Sequence, residues 1–239
     1  MSLLWMFVIT LVIMQVSVFL TTIYLHRALT HRGLELNRGL SVLFHLHLAL
    51  FTGIKPREWV AVHRKHHHFS DGEGDPHSPL LYGLWTVFFG NAFLYRKEAN
   101  NQATLRKYTP DYKEDFLDKM PLMSYSALAG LGVFMLMFGW MWGAILFAFQ
   151  GVGYILLNSS INSICHMIGY RNYDNQATNL QSLALLTGGE ALHNNHHEYP
   201  SSALFALRKG EFDPGWLVIR MLESVGLAKV NRQPIAKAA

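Results

Sequence analysis

Cysteine is all but missing from this chain. Cys165 stands alone among 239 residues, which rules out an intramolecular disulfide and, with it, a disulfide-stapled secreted fold. The same scarcity leaves no thiolate set for an iron–sulfur centre. A dinucleotide-binding glycine fingerprint and a fused cytochrome b5 module are also missing, so redox chemistry here would draw its electrons from a separate partner. No dense basic patch accompanies the net charge of +4; the basic residues are scattered among apolar and histidine-rich stretches, which argues against nucleic acid and for a membrane surface.

Charge itself is absent from two long stretches, Met1–Leu25 and Met120–Cys165. At about 1.5 Å per residue the first covers roughly 37 Å, enough for one crossing of a hydrocarbon core of about 30 Å. The second is long enough for two crossings, with Gly139-Trp140-Met141-Trp142-Gly143 reading as a turn between them. Met1–Leu25 lacks the basic start and small-residue cleavage site of a signal peptide. The 20 Lys and Arg residues fall in 27–119 and 171–237, which this topology puts on one side of the membrane, the cytoplasmic one. A shorter apolar run near 40–54 is expected at the interface or buried against other helices. Segment 55–119 reads as polar, with turns around Asp71–Pro76 and a helix-like stretch at Asp111–Lys119. After the spans, 166–239 reads as a second cytoplasmic segment ending in a polar tail from Asn231.

The expected fold is therefore an all-α integral membrane protein in one domain over 1–239. Transmembrane helices lie near 3–25, 121–138 and 143–165, with a cytoplasmic helical cap outside the bilayer.

What the chain has in abundance is histidine, 13 in all. His26 and His31 follow the first span at i, i+5; His63, His66 and His67 form one H-x-x-H-H, and His193, His196 and His197 another. On an α-helix, positions i, i+3 and i+4 share a face, so each H-x-x-H-H can aim three imidazoles at one point. The i, i+5 pair needs a loosened helix end. Eight imidazoles on one side of the membrane are too many for one ion and ample for two with open positions, which implies chemistry; a structural zinc site would close with four ligands. Among the other histidines, His166 in Asn162–His166 reads equally as a ligand or as a bundle-facing polar residue. His68 faces away from the box. His45 and His47, at i, i+2, suit hydrogen-bonded buried or interfacial roles, and His77 in Asp75-Pro76-His77 fits either reading.

The segments Leu25–Arg32, His63–Ser70 with Asp75–His77, and Gly189–His197 resemble the three histidine boxes of the membrane acyl-CoA and acyl-lipid desaturases of the stearoyl desaturase type, and Asn162–Asp174 resembles the stretch before the third box. The match runs from His26 to about Leu227. The resemblance implies nine ligands, His26, His31, His63, His66, His67, His166, His193, His196 and His197, with Asn162 reaching one metal through a water and Trp59 lining the bend of an acyl tunnel. Taken alone, Trp59 reads as an interfacial anchor.

The implied activity is insertion of a cis double bond into a saturated acyl chain, Δ9, by two Fe²⁺ ions and O₂. Redox-inert zinc can occupy such a site only as a non-native ion. Implied partners are a fatty acyl thioester or acyl lipid and a separate electron donor such as cytochrome b5 or ferredoxin with its reductase. The setting is a bacterial inner membrane or the endoplasmic reticulum. Asp75, Asp174 and Glu190 are candidates to orient the ligands or balance metal charge. Two departures stand out: one span precedes the first box where relatives usually carry two, and Ala61 occupies a position where animal acyl-CoA desaturases have an arginine for the CoA headgroup, which favours another carrier. A membrane hydroxylase and a histidine-rich metal transporter or sensor are the rival functions. The apolar spans hold no ionisable residue before His166, which gives a transporter no metal path.

Overall fold

A computed structural model describes residues 1–231. The polar tail expected beyond Asn231 lies outside the described residues.

The first apolar stretch forms one continuous helix, Leu3–Thr30, in two parts. Helix α1, Leu3–Leu20, is α-helical; Thr21–Thr30 is π-helical. A three-residue strand β1, Leu34–Leu36, then leads into α2, Arg38–Thr52, whose start is capped by Asn37 Oδ1 accepting from Gly39 N at 2.9 Å. Helix α3, Pro56–Phe69, begins with proline at its first position and carries the second histidine box. Short α4 (Pro79–Tyr82), α5 (Leu84–Ala99) and α6 (Gln102–Tyr108) follow.

A 3₁₀ turn over Pro121–Tyr125 leads into α7, Ser126–Phe138, and α8 runs Trp140–Ser163 with a 3₁₀ extension to His166. Helices α9 (Gln181–Leu186), α10 (His193–Glu198) and α11 (Pro214–Ser224) complete the described chain with strand β2, Ala228–Val230.

Among the described residues two helices, Leu3–Thr30 and Trp140–His166, are long and apolar enough to cross a membrane; Met123–Phe138 is apolar but shorter. Both long helices deliver their C-terminal ends, with His26 and His166, to the same site, so they run in the same direction and α7 returns the chain between them.

Four expectations need correction. The α7–α8 turn is Gly139 alone, at φ +81°, and Trp140–Gly143 is already helix. Gly143 instead lets the hairpin close: a Cβ there would sit 2.5 Å from Met135 Cα. Asp111–Lys119 is not helical, because its aspartates bond locally, Asp115 Oδ1 accepting from Leu117 N (2.7 Å) and Asp118 N (3.0 Å) in place of a helical ladder. The fold is not purely α: β1 pairs antiparallel with β2, Leu34 opposite Val230, tying the exit of the first helix to the far end of the chain. Finally, segment 55–119 is not uniformly polar. Helix α5 presents Trp85 (65% exposed), Phe89 (66%) and Phe93 (81%) at i, i+4 and i+8 on one outward face.

Candidate metal centre

The π-helical segment explains the awkward spacing of the first box. Its hydrogen bonds close from i to i+5, and the last, His31 N to His26 O at 3.1 Å, spans the two histidines themselves. Arg64 of α3 locks this end in place. It donates to Thr30 O (3.1 and 3.0 Å) and Leu29 O (3.2 Å), the free carbonyls of the helix terminus, and to Asp111.

The third box is held from behind. Buried Asn194 accepts from Asn172 N (2.8 Å) and Tyr173 N (2.9 Å), and buried Asn195 donates to Phe205 O (2.8 Å) and Glu211 (2.8 Å). Arg27, beside His26, is 1% exposed and bonds Asp213 through both terminal nitrogens at 3.0 Å, together with Ala203 O and Gly188 O. It thereby pins the glycine turn before the third box against the first.

Nine imidazoles converge, in two groups. His26, His31, His63, His67 and His196 form one; His66, His166, His193 and His197 form the other. Within each group the candidate ligand atoms all lie within 4.8 Å of one another. Each H-x-x-H-H therefore does not aim at one point: i and i+4 of α3 enter the five-histidine group and i+3 the other, whereas α10 sends i and i+4 to the four-histidine group. The groups abut, with the His67 and His197 rings stacked at 4.4 Å.

The atoms that meet are Nε2 atoms. Contacts run His26–His196 2.9 Å, His196–His67 2.9 Å, His67–His63 3.1 Å and His63–His31 3.1 Å in the larger group, and His166–His193 3.0 Å and His193–His197 3.1 Å in the smaller. Behind them, His66 Nδ1 donates to Asp75 Oδ2 (2.9 Å) and His166 Nδ1 to Asp71 Oδ2 (2.6 Å). His26 Nδ1 lies 2.6 Å from Glu190 Oε2, off the axis of a linear bond.

A carboxylate only accepts, so these rings carry their proton on Nδ1 and turn a bare Nε2 lone pair inward. Lone pairs gathered about 3 Å apart repel unless a cation sits among them. Two nitrogens bound to one ion about 2.1 Å away would be roughly 3.0–3.4 Å apart. The contacts here, including His66–His197 at 3.4 Å, lie close to that range, and the residues fit a metal at each group.

The electrostatics agree. Burial, reinforced by neighbouring imidazoles, holds His31, His63, His67, His193, His196 and His197 well below the usual histidine range, so they are neutral and available as ligands. Burial works to raise Asp71, Asp75 and Glu190, but hydrogen bonds and the electrostatic pull of His166, His66 and His26, respectively, outweigh it and hold all three carboxyls low, in the charged form.

Asp174 stands outside this arrangement. It is exposed on its loop, and Asp71, which the sequence marked only as a turn residue, holds the place at His166. Asp71 sits at a left-handed φ of +63°, a conformation that aspartate tolerates better than most residues, and nothing in its sequence context marks it as the partner of His166.

A cavity of about 330 Å³ reaches the groups from between α5 and α8. Trp59, stacked on His63 at 4.7 Å, lines it together with His77, Asn91, Asn162 and His193. On another side a polar depression bordered by Arg64 and Ser70 exposes the edges of His31, His67 and His197.

Fold and site together define a class: a helical protein with two membrane-length apolar helices and paired all-histidine cages suited to metal. A family model described as fatty acid desaturase matches residues 3–211. Relatives include the Delta-9 acyl-lipid desaturase 2 of Arabidopsis thaliana, 33% identical over 89% of this chain and 70% of its own length. The icosanoyl-CoA 5-desaturase of Limnanthes douglasii is 36% identical over 89% and 61%, and the sn-1 stearoyl-lipid 9-desaturase of Anabaena variabilis 33% over 87% and 76%. The chain belongs to the fatty acid desaturase family, and it is an oxidoreductase of that kind.

Proposed function

We propose that this protein inserts a cis double bond into a saturated fatty acyl chain, at Δ9, with two iron ions in the histidine cages. The observation that carries the reading is nine imidazoles in two abutting groups at the end of a largely apolar cavity. No side-chain acid or base deprotonates an alkane, so two ferrous ions with O₂ would supply the oxidant that removal of two hydrogens from neighbouring methylenes demands. Two external electrons and two protons then balance O₂ to two waters. The donor is a separate protein of the cytochrome b5 or ferredoxin kind.

This chain's own residues bind and orient. His26, His31, His63, His67 and His196 hold one ion; His66, His166, His193 and His197 hold the other, with Asn162 acting through a water. Asp75 and Asp71 orient His66 and His166, and Glu190 faces His26. Trp59 shapes the cavity wall so that one pair of carbons faces the cages, with a bend that favours the cis product. The two long helices span the membrane and the cages stand at its cytoplasmic face, in a bacterial inner membrane or the endoplasmic reticulum.

An acyl lipid suits the surface better than acyl-CoA. Lys55, Arg57, Arg64, Lys65 and Arg96 each face a carboxylate, of Glu58, Glu114, Asp111, Glu98 and Glu58, at 2.6–3.5 Å. Such paired cations offer little to a polyphosphate carrier, and Ala61 is wholly buried.

The test is expression in a host without its own desaturase, under oxygen and with an electron donor, followed by fatty-acid profiling of each lipid class. A Δ9 monoene concentrated in membrane lipids is expected. A double bond at carbon 5, as the Limnanthes relative's name describes, would overturn the position, and a hydroxylated chain without an alkene would overturn the reaction.

A further inference from the structure

The cavity that leads to the histidines is not wholly apolar. Outside the histidines, two of its lining residues carry a buried polar atom without a partner among the described residues, Tyr95 at its hydroxyl and Gln150 at Oε1. An enclosed polar atom left unmet is costly, so each of these positions awaits a guest. Gln150 Nε2 donates to Phe51 O at 2.6 Å, which fixes Oε1 as the free end, an acceptor and nothing more. A saturated acyl chain brings no donor to it. Tyr95 can donate: burial and the Glu58 carboxylate hold its phenol well above the usual tyrosine range, so it keeps its proton.

Tyr95 also stands at a telling depth. It is half-buried as a residue, while its hydroxyl is enclosed. The next residue, Arg96, lines the cavity with a side chain 60% exposed and pairs with Glu58 of α3 at 3.5 Å, so the cavity reaches the surface there. One helical turn the other way, about 6 Å along α5, Asn91 meets Asn162 of α8 at 3.4 Å, and Asn162 is one turn before His166. Tyr95 therefore lies between the opening and the end of α8 that carries His166. A chain that enters tail first passes this point with methylenes alone. Its only oxygens, those of the linkage to its carrier, arrive last and come to rest beside the opening.

We propose that the Tyr95 hydroxyl donates to the carbonyl oxygen of the ester that joins the acyl chain to its lipid, and so fixes how far the chain runs inward before it meets the cages. The inference rests on the reading of the protein as an acyl-lipid desaturase and deepens it by naming the residue that holds the carboxyl end. Carbon counting then starts at Tyr95. With the first carbon tethered, one pair of methylenes faces the histidines; without the tether, the chain slides by a carbon or two.

Binding without turnover tests it. Metal-loaded protein, kept anaerobic in detergent, is offered a phosphatidylcholine with stearoyl esters or its dialkyl ether counterpart, which keeps chains and headgroup but lacks the carbonyls. Each competes with a fluorescent acyl lipid. Wild type should hold the ester roughly three- to ten-fold more tightly, the worth of one hydrogen bond. Tyr95→Phe should bind both at the ether's affinity, with an unchanged or higher thermal midpoint, since the hydroxyl it removes has no partner among the described residues. During turnover in a host without its own desaturase, the same variant should spread its double bonds over neighbouring positions where wild type makes one.

Equal binding of ester and ether by wild type overturns the proposal, as does a preference that survives in Tyr95→Phe. So does a variant that melts lower or fails to fold, because the hydroxyl would then serve the fold. A variant that loses the preference yet still makes one unshifted isomer overturns the part that gives Tyr95 the count. A preference seen only between stearoyl-CoA and its thioether analogue overturns the choice of an ester. No saturable binding of either lipid, or no alkene from wild type, sinks the acyl-lipid desaturase reading itself, a result distinct from any of these.

Discussion

Asp71 and Asp174 separate what a sequence motif marks from what geometry assigns. Asp71 accepts from His166 Nδ1 at 2.6 Å and from Ser78 at 2.6 Å, whereas Asp174 is exposed and joins neither histidine group. Removing a carboxylate that orients a ligand lowers metal affinity by about 10–100-fold. Asp71→Asn should show that loss in a metal titration, and Asp174→Asn should titrate like wild type; equal behaviour of the two would refute the assignment. His66→Ala should abolish desaturation and lower the iron content of purified protein. The buried Arg27–Asp213 pair belongs to this scale too. Leaving Arg27 uncompensated by Asp213→Ala should destabilise the fold by about 3–5 kcal/mol, read as a fall in thermal midpoint.

Two elements carry function through their shape. The π-helical turns of Thr21–Thr30 make i, i+5 a shared face, so one alanine inserted between Ala28 and Leu29 should rotate His31 out of the five-histidine group and cut bound iron, even though every histidine is still present. Helix α5 packs beside α8 with Trp85, Phe89 and Phe93 facing outward, and a stripe of that kind suits the acyl boundary of a bilayer. A spin label at Phe93→Cys should relax faster with oxygen than with a water-soluble nickel chelate when the protein is in lipid nanodiscs. The reverse order would place that face in water. Cys165 is buried and does not compete for the label.

Across the whole molecule, folding gathers six or more imidazoles whose proton affinity burial has depressed. Their folded pKa values lie below the ordinary 6.5, so as pH falls through that value the unfolded chain takes up protons that the folded cages refuse. Stability of the metal-free protein should be level above about pH 7 and fall steadily below about 6.5, followed by thermal midpoints; a midpoint that rises on acidification would contradict the burial of neutral rings. At this scale, the long apolar helices and the histidine spacings were legible because hydropathy and side-chain chemistry are local properties. Asp71, Arg64 and the division of each box between two groups were not, since all three depend on which segments meet in space. The outward aromatic stripe of α5 was written in the sequence, in the charge-free run from Pro76 to Tyr95, but the charged stretches on either side hide it when 55–119 is averaged as one segment.

That division has a further outcome. Helices α3 and α10 each reach into both cages, so whatever tightens one pocket tightens the other. Iron uptake should therefore be sigmoidal, with native mass spectra passing from empty to doubly loaded protein and almost nothing between.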